Sequence, residues 1–138
     1  MRIVLDTNVL VSGMISTGTP PARLLDWLRA GKLQLVIDDR IVAEYADVLS
    51  RDELRDYFPA SAAEDVMEFL RRDSERVHST VVIRELPDPG DIPFLEVALT
   101  ASVPLVTGNK KHFPAAIAAP CRVQTPREFL HSLAGGVS

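Results

Sequence analysis

The segment RIVLDTNVL at residues 2–10 contains a single acid inside a run that is otherwise mostly apolar. Residues 2–5 form a short run that is largely apolar and partly β-branched, which is typical of a buried strand. Asp6 follows this strand directly, and the apolar pattern resumes at Val9. Burying a carboxylate is costly unless something pairs it. We therefore expect Asp6 to lie at the end of a buried strand and to have a partner there.

Similar short apolar runs recur along the chain, and helical patterns separate them. This alternation is the signature of parallel βαβ units. The strand candidates lie at residues 2–5, 33–37, 80–83, 103–106 and 121–124. The sequence therefore predicts an α/β fold in which helices flank a central five-stranded parallel sheet.

Two of the intervening helices have recognisable ends in the sequence. Residues 20–30 place several leucines on one helical face, and Gly31 follows where a helix would end. Asp38 or Asp39 is placed to cap the next helix, which continues at helical spacing to Ser50. Both segments are therefore predicted to be amphipathic helices.

Capping boxes indicate the starts of two further helices. Residues 51–76 are predicted to form a helical pair, whose second helix opens at the capping box of residues 61–64. Residues 125–128 form another capping box, with proline at the first helical position. We therefore expect the last helix to begin there.

The composition suits one compact domain. The chain has 138 residues and 46% hydrophobic content, and no stretch has the composition of a linker. We predict a single domain over residues 1–133. The pair Gly135-Gly136 is expected to end the ordered chain, so residues 134–138 are predicted to be a flexible C-terminal tail.

The cysteine content and the N-terminal residues predict the cellular compartment. Cys121 is the only cysteine, and the N-terminal apolar run is too short for a signal peptide or a membrane span. We therefore expect a cytoplasmic protein that does not associate with membranes.

The net charge is -4, so a nucleic acid would have to be held by local basic groups and metal ions. Lys110 and Lys111 are adjacent and are candidates for a phosphate contact.

Three acids fall where a ligand site is expected, because ligands of open α/β sheets bind beyond the carboxyl ends of the strands. Asp6 follows the first strand, Glu44 lies one turn into the helix after the second, and Asp91 precedes a later helical pattern. Each has an ordinary explanation alone, since Asp91 is typical of a helix cap and Glu44 can pair with Arg40. Together they would repel one another unless a cation joined them.

Such a cluster predicts a hard divalent cation, Mg²⁺ or Mn²⁺, because these ions take carboxylate, water and phosphate oxygens as ligands. A water on such an ion has a lowered pKa and can attack a phosphodiester. The cation also offsets the charge that develops on the phosphorus oxygens. Hydrolysis of RNA or DNA is therefore the favoured chemistry.

Five motifs, in this order and spacing, resemble those of PIN-domain nucleases. They are DTNVL at 6–10, EY at 44–45, DPGDIPFLEVA at 88–98, VTGN at 106–109 and TPREFL at 125–130. The last is similar to the end of a bacterial and archaeal, VapC-type branch described as toxin components of toxin-antitoxin modules. The resemblance covers almost the whole chain. It implies a PIN-like fold, a Mg²⁺- or Mn²⁺-dependent ribonuclease with an RNA substrate, a homodimer, and inhibition by a cognate antitoxin.

The resemblance also assigns roles to individual residues. Asp6, Glu44 and Asp91 would be catalytic, metal-binding carboxylates, and Asn109 would be a further metal ligand. Many relatives carry an aspartate at the position of Asn109. Asparagine keeps an oxygen ligand but loses the charge, so weaker metal binding is expected.

Neighbouring residues would support these ligands. Asn8 would orient Asp6 through a hydrogen bond, and Thr107 would contact water or the metal. Asp88 could compensate for the missing fourth acid if its loop folded inward, but a solvent-facing turn residue before proline is the better-supported interpretation.

Two alternative functions stay open at this point. The asparagine at 109 and the acidic net charge fit a PIN-fold module that binds RNA or a partner without cleaving. An aspartyl phosphatase or phosphoacceptor domain would use Asp6 as nucleophile, but Asn8 stands where its second acid is expected. The histidines at 78, 112 and 131 are predicted to lie on the surface, and no serine lies in a nucleophile elbow motif.

Overall fold

The computed structural model describes residues 1–136 and contains one five-stranded sheet in the order β3-β2-β1-β4-β5. All four strand pairs are parallel. The strands are β1 (Arg2–Leu5), β2 (Gln34–Ile37), β3 (Glu75–Arg76), β4 (Leu105–Val106) and β5 (Val123–Gln124). The predicted α/β fold with a five-stranded parallel sheet is confirmed.

Within residues 1–136, seven α-helices and three short 3₁₀ turns connect the strands. The helices are α1 (Thr7–Ile15), α2 (Pro20–Arg29), α3 (Asp39–Leu49), α4 (Ala60–Asp73), α5 (Ile92–Ala101), α6 (Ala115–Ala118) and α7 (Pro126–Gly136). The 3₁₀ turns are Asp52–Asp56, Pro89–Asp91 and Lys110–His112. None of the helices described is both long and apolar enough to cross a membrane.

The central strand β1 places the site. It pairs with β2 through Ile3 and Leu35 on one side and with β4 through Val4 and Leu105 on the other. The chain therefore adds β2 and β3 on one side of β1 and then crosses back to add β4 and β5 on the other. At such a switch point the loops beyond the carboxyl ends of adjacent strands diverge and open a crevice. Asp6 is the first residue beyond the carboxyl end of β1.

Several predicted helix ends are confirmed. Gly31 has a φ of +75° just after α2, a conformation that favours glycine. The Asp38 carboxylate accepts the N–H of Ile41 at 3.0 Å and so caps α3. At the start of α7, Thr125 N–H donates to Glu128 and Glu128 N–H donates to Thr125 Oγ1, which is a reciprocal capping box.

The strand predicted at 80–83 is wrong. The strand that follows β2 in the chain is instead β3, the earlier pair Glu75–Arg76, which lies beside β2 in the sheet. Residues 80–83 run along α5, where Thr100 Oγ1 accepts the N–H groups of residues 80 and 81 and Glu96 accepts that of Ile83. Side chains of a helix satisfy this backbone, so it needs no neighbouring strand.

The first half of the predicted helical pair is also wrong. Residues 52–56 form only a 3₁₀ turn, and α4 begins at Ala60, before the predicted capping box. Pro59 occupies the cap position and provides no side-chain hydrogen bond. The fixed φ of proline starts this helix without a capping side chain.

The start of α1 and the end of α7 differ from the sequence pattern. Helix α1 begins directly after Asp6, where the sequence pattern indicated only a resumed apolar run. Helix α7 continues through Gly136, so it overlaps the predicted tail over residues 134–136. Residues 137 and 138 of that tail lie outside the described residues.

Candidate metal centre

Asp6 has the partner that its burial requires. Asp6 is only 5% exposed, and its Oδ2 accepts a hydrogen bond from Thr107 Oγ1 at 2.7 Å. The backbone N–H of Asp6 donates to Val106 at 2.9 Å. Burial raises the pKa of the Asp6 carboxyl, while the hydrogen bond from Thr107 opposes that rise. Strands β1 and β4 are thus joined at the point where both end.

Thr107 supports Asp6 and orders the loop that follows β4. It is completely buried, and its hydroxyl also accepts the N–H of Asn109 at 3.1 Å. The sequence predicted a contact of Thr107 with water or metal. Its observed contact is with the carboxylate of Asp6, which is the orienting role that the resemblance gave to Asn8.

Asn8 does not take that role. Its side chain is exposed, and its Oδ1 accepts the N–H of Gly108 at 3.4 Å. The predicted hydrogen bond from Asn8 to Asp6 is therefore wrong. Asn8 instead links the start of α1 to the loop after β4, because the side chain at this position of the helix points across the crevice to Gly108.

Glu44 faces the same crevice from α3. Its Oε2 accepts a hydrogen bond from Thr7 Oγ1 at 2.5 Å, which brings it next to Asp6. The charge of Glu44 contributes to the raised pKa of Asp6. The neighbouring Tyr45, fully buried, donates its hydroxyl to the carbonyl of Leu5. Helix α3 is thereby fastened to the end of β1.

The predicted Arg40–Glu44 ion pair is wrong. Arg40 lies 2.7 Å from Asp38 and 2.7 Å from Glu96, both of them buried carboxylates. Asp38, at the start of α3, and Glu96, in α5, thus neutralise the charge of Arg40. Glu44 is therefore left without that counter-ion.

Asp91 is the second buried acid of the crevice. It is 8% exposed and its side chain makes no cap hydrogen bond to α5, so the interpretation as a helix cap is wrong. Its buried Oδ2 lies 2.9 Å from Nδ1 of His112. Burial, followed by the charges of Asp6 and Asp88, raises the pKa of Asp91 to about 6. Carboxylates that repel one another in this way are stabilised by a cation.

His112 is the residue that sequence reasoning missed. Its Nδ1 lies 2.9 Å from Asp91 Oδ2, and its Nε2 lies 2.9 Å from the side-chain nitrogen of Asn109. It is half-buried, so the prediction of a surface histidine is wrong. The sequence offered one signal for its role, which is its position three residues after Asn109. In the structure Lys110–His112 form a short 3₁₀ turn.

Asp88, Asp91 and His112 each offer one ligand atom, and these three atoms lie within 4.8 Å of one another. This spacing suits ligands around a single cation. The carboxylate oxygens suit Mg²⁺ or Mn²⁺, whereas the imidazole nitrogen favours a transition metal such as Mn²⁺ over Mg²⁺. Asp88 is exposed, as expected, but its side chain belongs to this group and also accepts the N–H of Gly90.

The loop after β4 carries the other predicted residues. The amide of Asn109 lies against His112. Lys110 lies 3.1 Å from Glu128, which neutralises part of its charge, whereas Lys111 is exposed and has no ion-pair partner among the residues that the structure describes. Lys111 is thus the freer of the two candidate phosphate contacts.

The PIN domain family model matches residues 2–111, which include Asp6, Glu44, Asp88 and Asp91. The chain belongs to the PIN domain family. PIN domains are generally nucleases, and the acidic crevice of this PIN domain fits that chemistry. No curated protein matches the chain.

Solved structures share the fold at low sequence identity. The structure of VapBC-1 from nontypeable Haemophilus influenzae has a TM-score of 0.60 and 17% identity, covering 92% of this chain and 99% of that chain. VapBC2 from Rickettsia felis, bound to a DNA fragment from their promoter, has a TM-score of 0.59 and 15% identity, with 91% and 98% covered. FitAcB from Neisseria gonorrhoeae has a TM-score of 0.59 and 16% identity, with 92% and 99% covered. These similarities establish the PIN fold over nearly the whole chain.

Proposed function

We propose that this PIN domain is a divalent-metal-dependent ribonuclease. The observation that carries the proposal is the group of potential ligand atoms from Asp88, Asp91 and His112, which lie within 4.8 Å of one another. Buried carboxylates that lie close together are costly in a protein interior, because their charges repel. A cation in the crevice would offset this repulsion.

The residues present fit Mg²⁺ or Mn²⁺. Asp91 and Asp6 would bind the cation from the ends of two elements, with Glu44 on the third side and Asp88 and His112 at the rim. Asn109 is proposed as a weaker oxygen ligand. When bound, such a cation lowers the pKa of a coordinated water and offsets charge on the phosphate.

Other side chains would prepare the site and hold the substrate. Thr107 holds Asp6, and Thr7 holds Glu44, each through a short hydrogen bond from a hydroxyl. Lys111 would contact a phosphate of RNA, since its charge is free and it lies one residue from His112. The negative net charge makes such local contacts necessary.

The solved relatives suggest the biological setting. Their compound names, VapBC and FitAcB, describe assemblies, and VapBC2 is bound to a DNA fragment from their promoter. We extend this to the present chain and propose a toxin that acts in the cytoplasm, forms a homodimer and is inhibited by a cognate antitoxin.

Cleavage of a mixed RNA panel tests the ribonuclease proposal. The wild type is expected to cleave only when Mg²⁺ or Mn²⁺ is present, and Asp6→Asn is expected to lose at least about 100-fold in rate, beyond the usual cost of perturbing a supporting residue. Asp65→Asn, an exposed carboxylate of α4, is the matched control and should cleave like the wild type. Metal-independent cleavage, or equal activity of Asp6→Asn, would refute the proposal.

Asn109 favours a second candidate function, because its amide lies on His112 and supplies no negative charge. A PIN-fold module that binds RNA or a protein without cleaving would fit this substitution. The same panel separates the two candidates. RNA binding without cleavage, in either metal, would establish the binding module.

A further inference from the structure

A groove on another face of the molecule combines an apolar lining with free positive charge. It encloses about 610 Å³ between α2 and α7 and reaches the residues that precede β1, β4 and β5. Trp27, Phe129, Leu130 and Leu133 form its apolar lining. The groove therefore lies toward the amino end of the sheet, opposite the end that carries Asp6.

The charges around this groove are all of one sign. Arg23, Lys32 and Arg122 line it, and an adjoining cleft that shares Arg23 adds Arg127. All four side chains are exposed, and neither lining includes a carboxylate. Within residues 1–136, none of the four has an ion-pair partner. Such a concentration is unusual in a chain whose net charge is -4.

We infer that this groove binds an amphipathic, acidic helix of a partner protein. The apolar lining would receive the apolar face of the helix, and the arginines and the lysine would pair with carboxylates beside it. A half-buried tryptophan flanked by arginines is the composition typical of interface hot spots. The inference is independent of the proposed nuclease activity, because no residue of the crevice contributes to the groove.

Charge argues against a second copy of this chain in the groove. A twofold interface places the same patch on both sides. Arg23, Lys32, Arg122 and Arg127 would then face their own copies and repel them.

The apolar lining argues against a nucleic acid. Single-stranded RNA is held by exposed aromatic rings on which bases stack. Here the only tryptophan is half-buried, and leucine side chains with Met1 and Pro104 form much of the remaining wall. These side chains suit the aliphatic face of a helix better than they suit a base.

The sole tryptophan of the chain provides the readout. The probe is a tryptophan-free amphipathic peptide of about 18 residues, long enough to be helical, with leucines on one face and glutamates beside them. It is titrated into the full protein while Trp27 fluorescence is recorded. A second peptide replaces every glutamate with lysine. Saturable quenching or a blue shift is expected with the acidic peptide alone.

Charge-reversal variants test the cations directly. Arg23→Glu combined with Arg122→Glu is expected to weaken binding roughly tenfold or more. The matched control combines Arg71→Glu with Arg84→Glu, two exposed arginines outside the groove, and should bind like the wild type. Circular dichroism of both proteins checks that they fold.

Three results would overturn the inference. They are equal binding of the lysine peptide, equal affinities of the two double variants, and the absence of any Trp27 response at millimolar peptide. Displacement of the peptide by an oligouridylate would assign the groove to RNA instead. Sedimentation showing a dimer that Arg23→Glu with Arg122→Glu dissociates would assign it to a second copy.

Discussion

The two ends of the parallel sheet differ in both charge and burial. At the carboxyl end the crevice gathers acids, of which Asp6 and Asp91 are buried. Toward the amino end the groove between α2 and α7 gathers cations that are all exposed. Exposed charges stay hydrated and cost the fold little, whereas buried charges of one sign raise its energy.

This difference suggests a division of labour. The acidic crevice is destabilising until a ligand neutralises it, as is common for sites that favour function over stability. The cationic groove can attract an acidic partner over a distance without stabilising or destabilising the fold. A substitution should therefore affect stability, metal affinity or partner affinity according to which end it changes.

The largest expected effect comes from removing the support of Asp6. Thr107→Val deletes the hydroxyl that donates to Asp6, and loss of such a supporting hydrogen bond costs about 10–100-fold in metal affinity. Titration calorimetry with Mn²⁺ measures the change. Thr107→Ser keeps the hydroxyl and should retain most of the affinity. Unchanged binding by Thr107→Val would show that Asp6 needs no orienting partner.

A smaller, selective effect is expected at the rim of the crevice. His112→Ala should lower the affinity for Mn²⁺ about tenfold and that for Mg²⁺ less, because imidazole nitrogen suits transition metals while Mg²⁺ prefers oxygen. His78→Ala, an exposed histidine outside the crevice, is the control. Equal losses for both ions, measured in parallel titrations, would place His112 outside the coordination shell.

The smallest effect concerns the stability of the metal-free protein. The pKa of Asp91 is raised to about 6, above the value of about 3.9 expected in the unfolded chain. The folded state therefore binds this proton more tightly, and the free energy of unfolding falls as pH rises between these values. At pH 7, Asp91→Asn should be more stable than the wild type by on the order of 1 kcal/mol.

Urea unfolding in the presence of a chelator measures this change. The advantage of Asp91→Asn should disappear near pH 4, where the wild-type carboxyl is protonated too. Asp65→Asn, at an exposed position, should show no advantage at either pH. A variant less stable than the wild type at pH 7 would contradict the proposed repulsion within the crevice.

The sequence supported the gathering of acids but not the details of their contacts. Asp6 could be placed at the site because it directly follows a strand, and ligands bind beyond the carboxyl ends of parallel strands. Asp91 does not directly follow a strand and lies instead at the start of α5. The roles of Thr107 and His112 depend on how the loop after β4 folds. That loop is set by hydrogen bonds between its own residues, which no periodicity in the sequence reports.

The strand error has a similar origin. Residues 80–83 and residues 75–76 differ in β-branched content, and content alone favours 80–83. The outcome is decided by Glu96 and Thr100, whose side chains bind the backbone of the later segment. Such tertiary hydrogen bonds between distant positions are invisible to local propensity.

The short strand β3 also bears on aggregation, because it forms one edge of the sheet. Both edges of the sheet are strands of only two residues, Glu75–Arg76 and Val123–Gln124. Short edges, one of them charged and tied to Arg2, offer almost no backbone template for another chain to pair with. A protein that must expose a repulsive acidic crevice and an apolar groove is thereby protected from the sheet-to-sheet association that partial unfolding would otherwise invite.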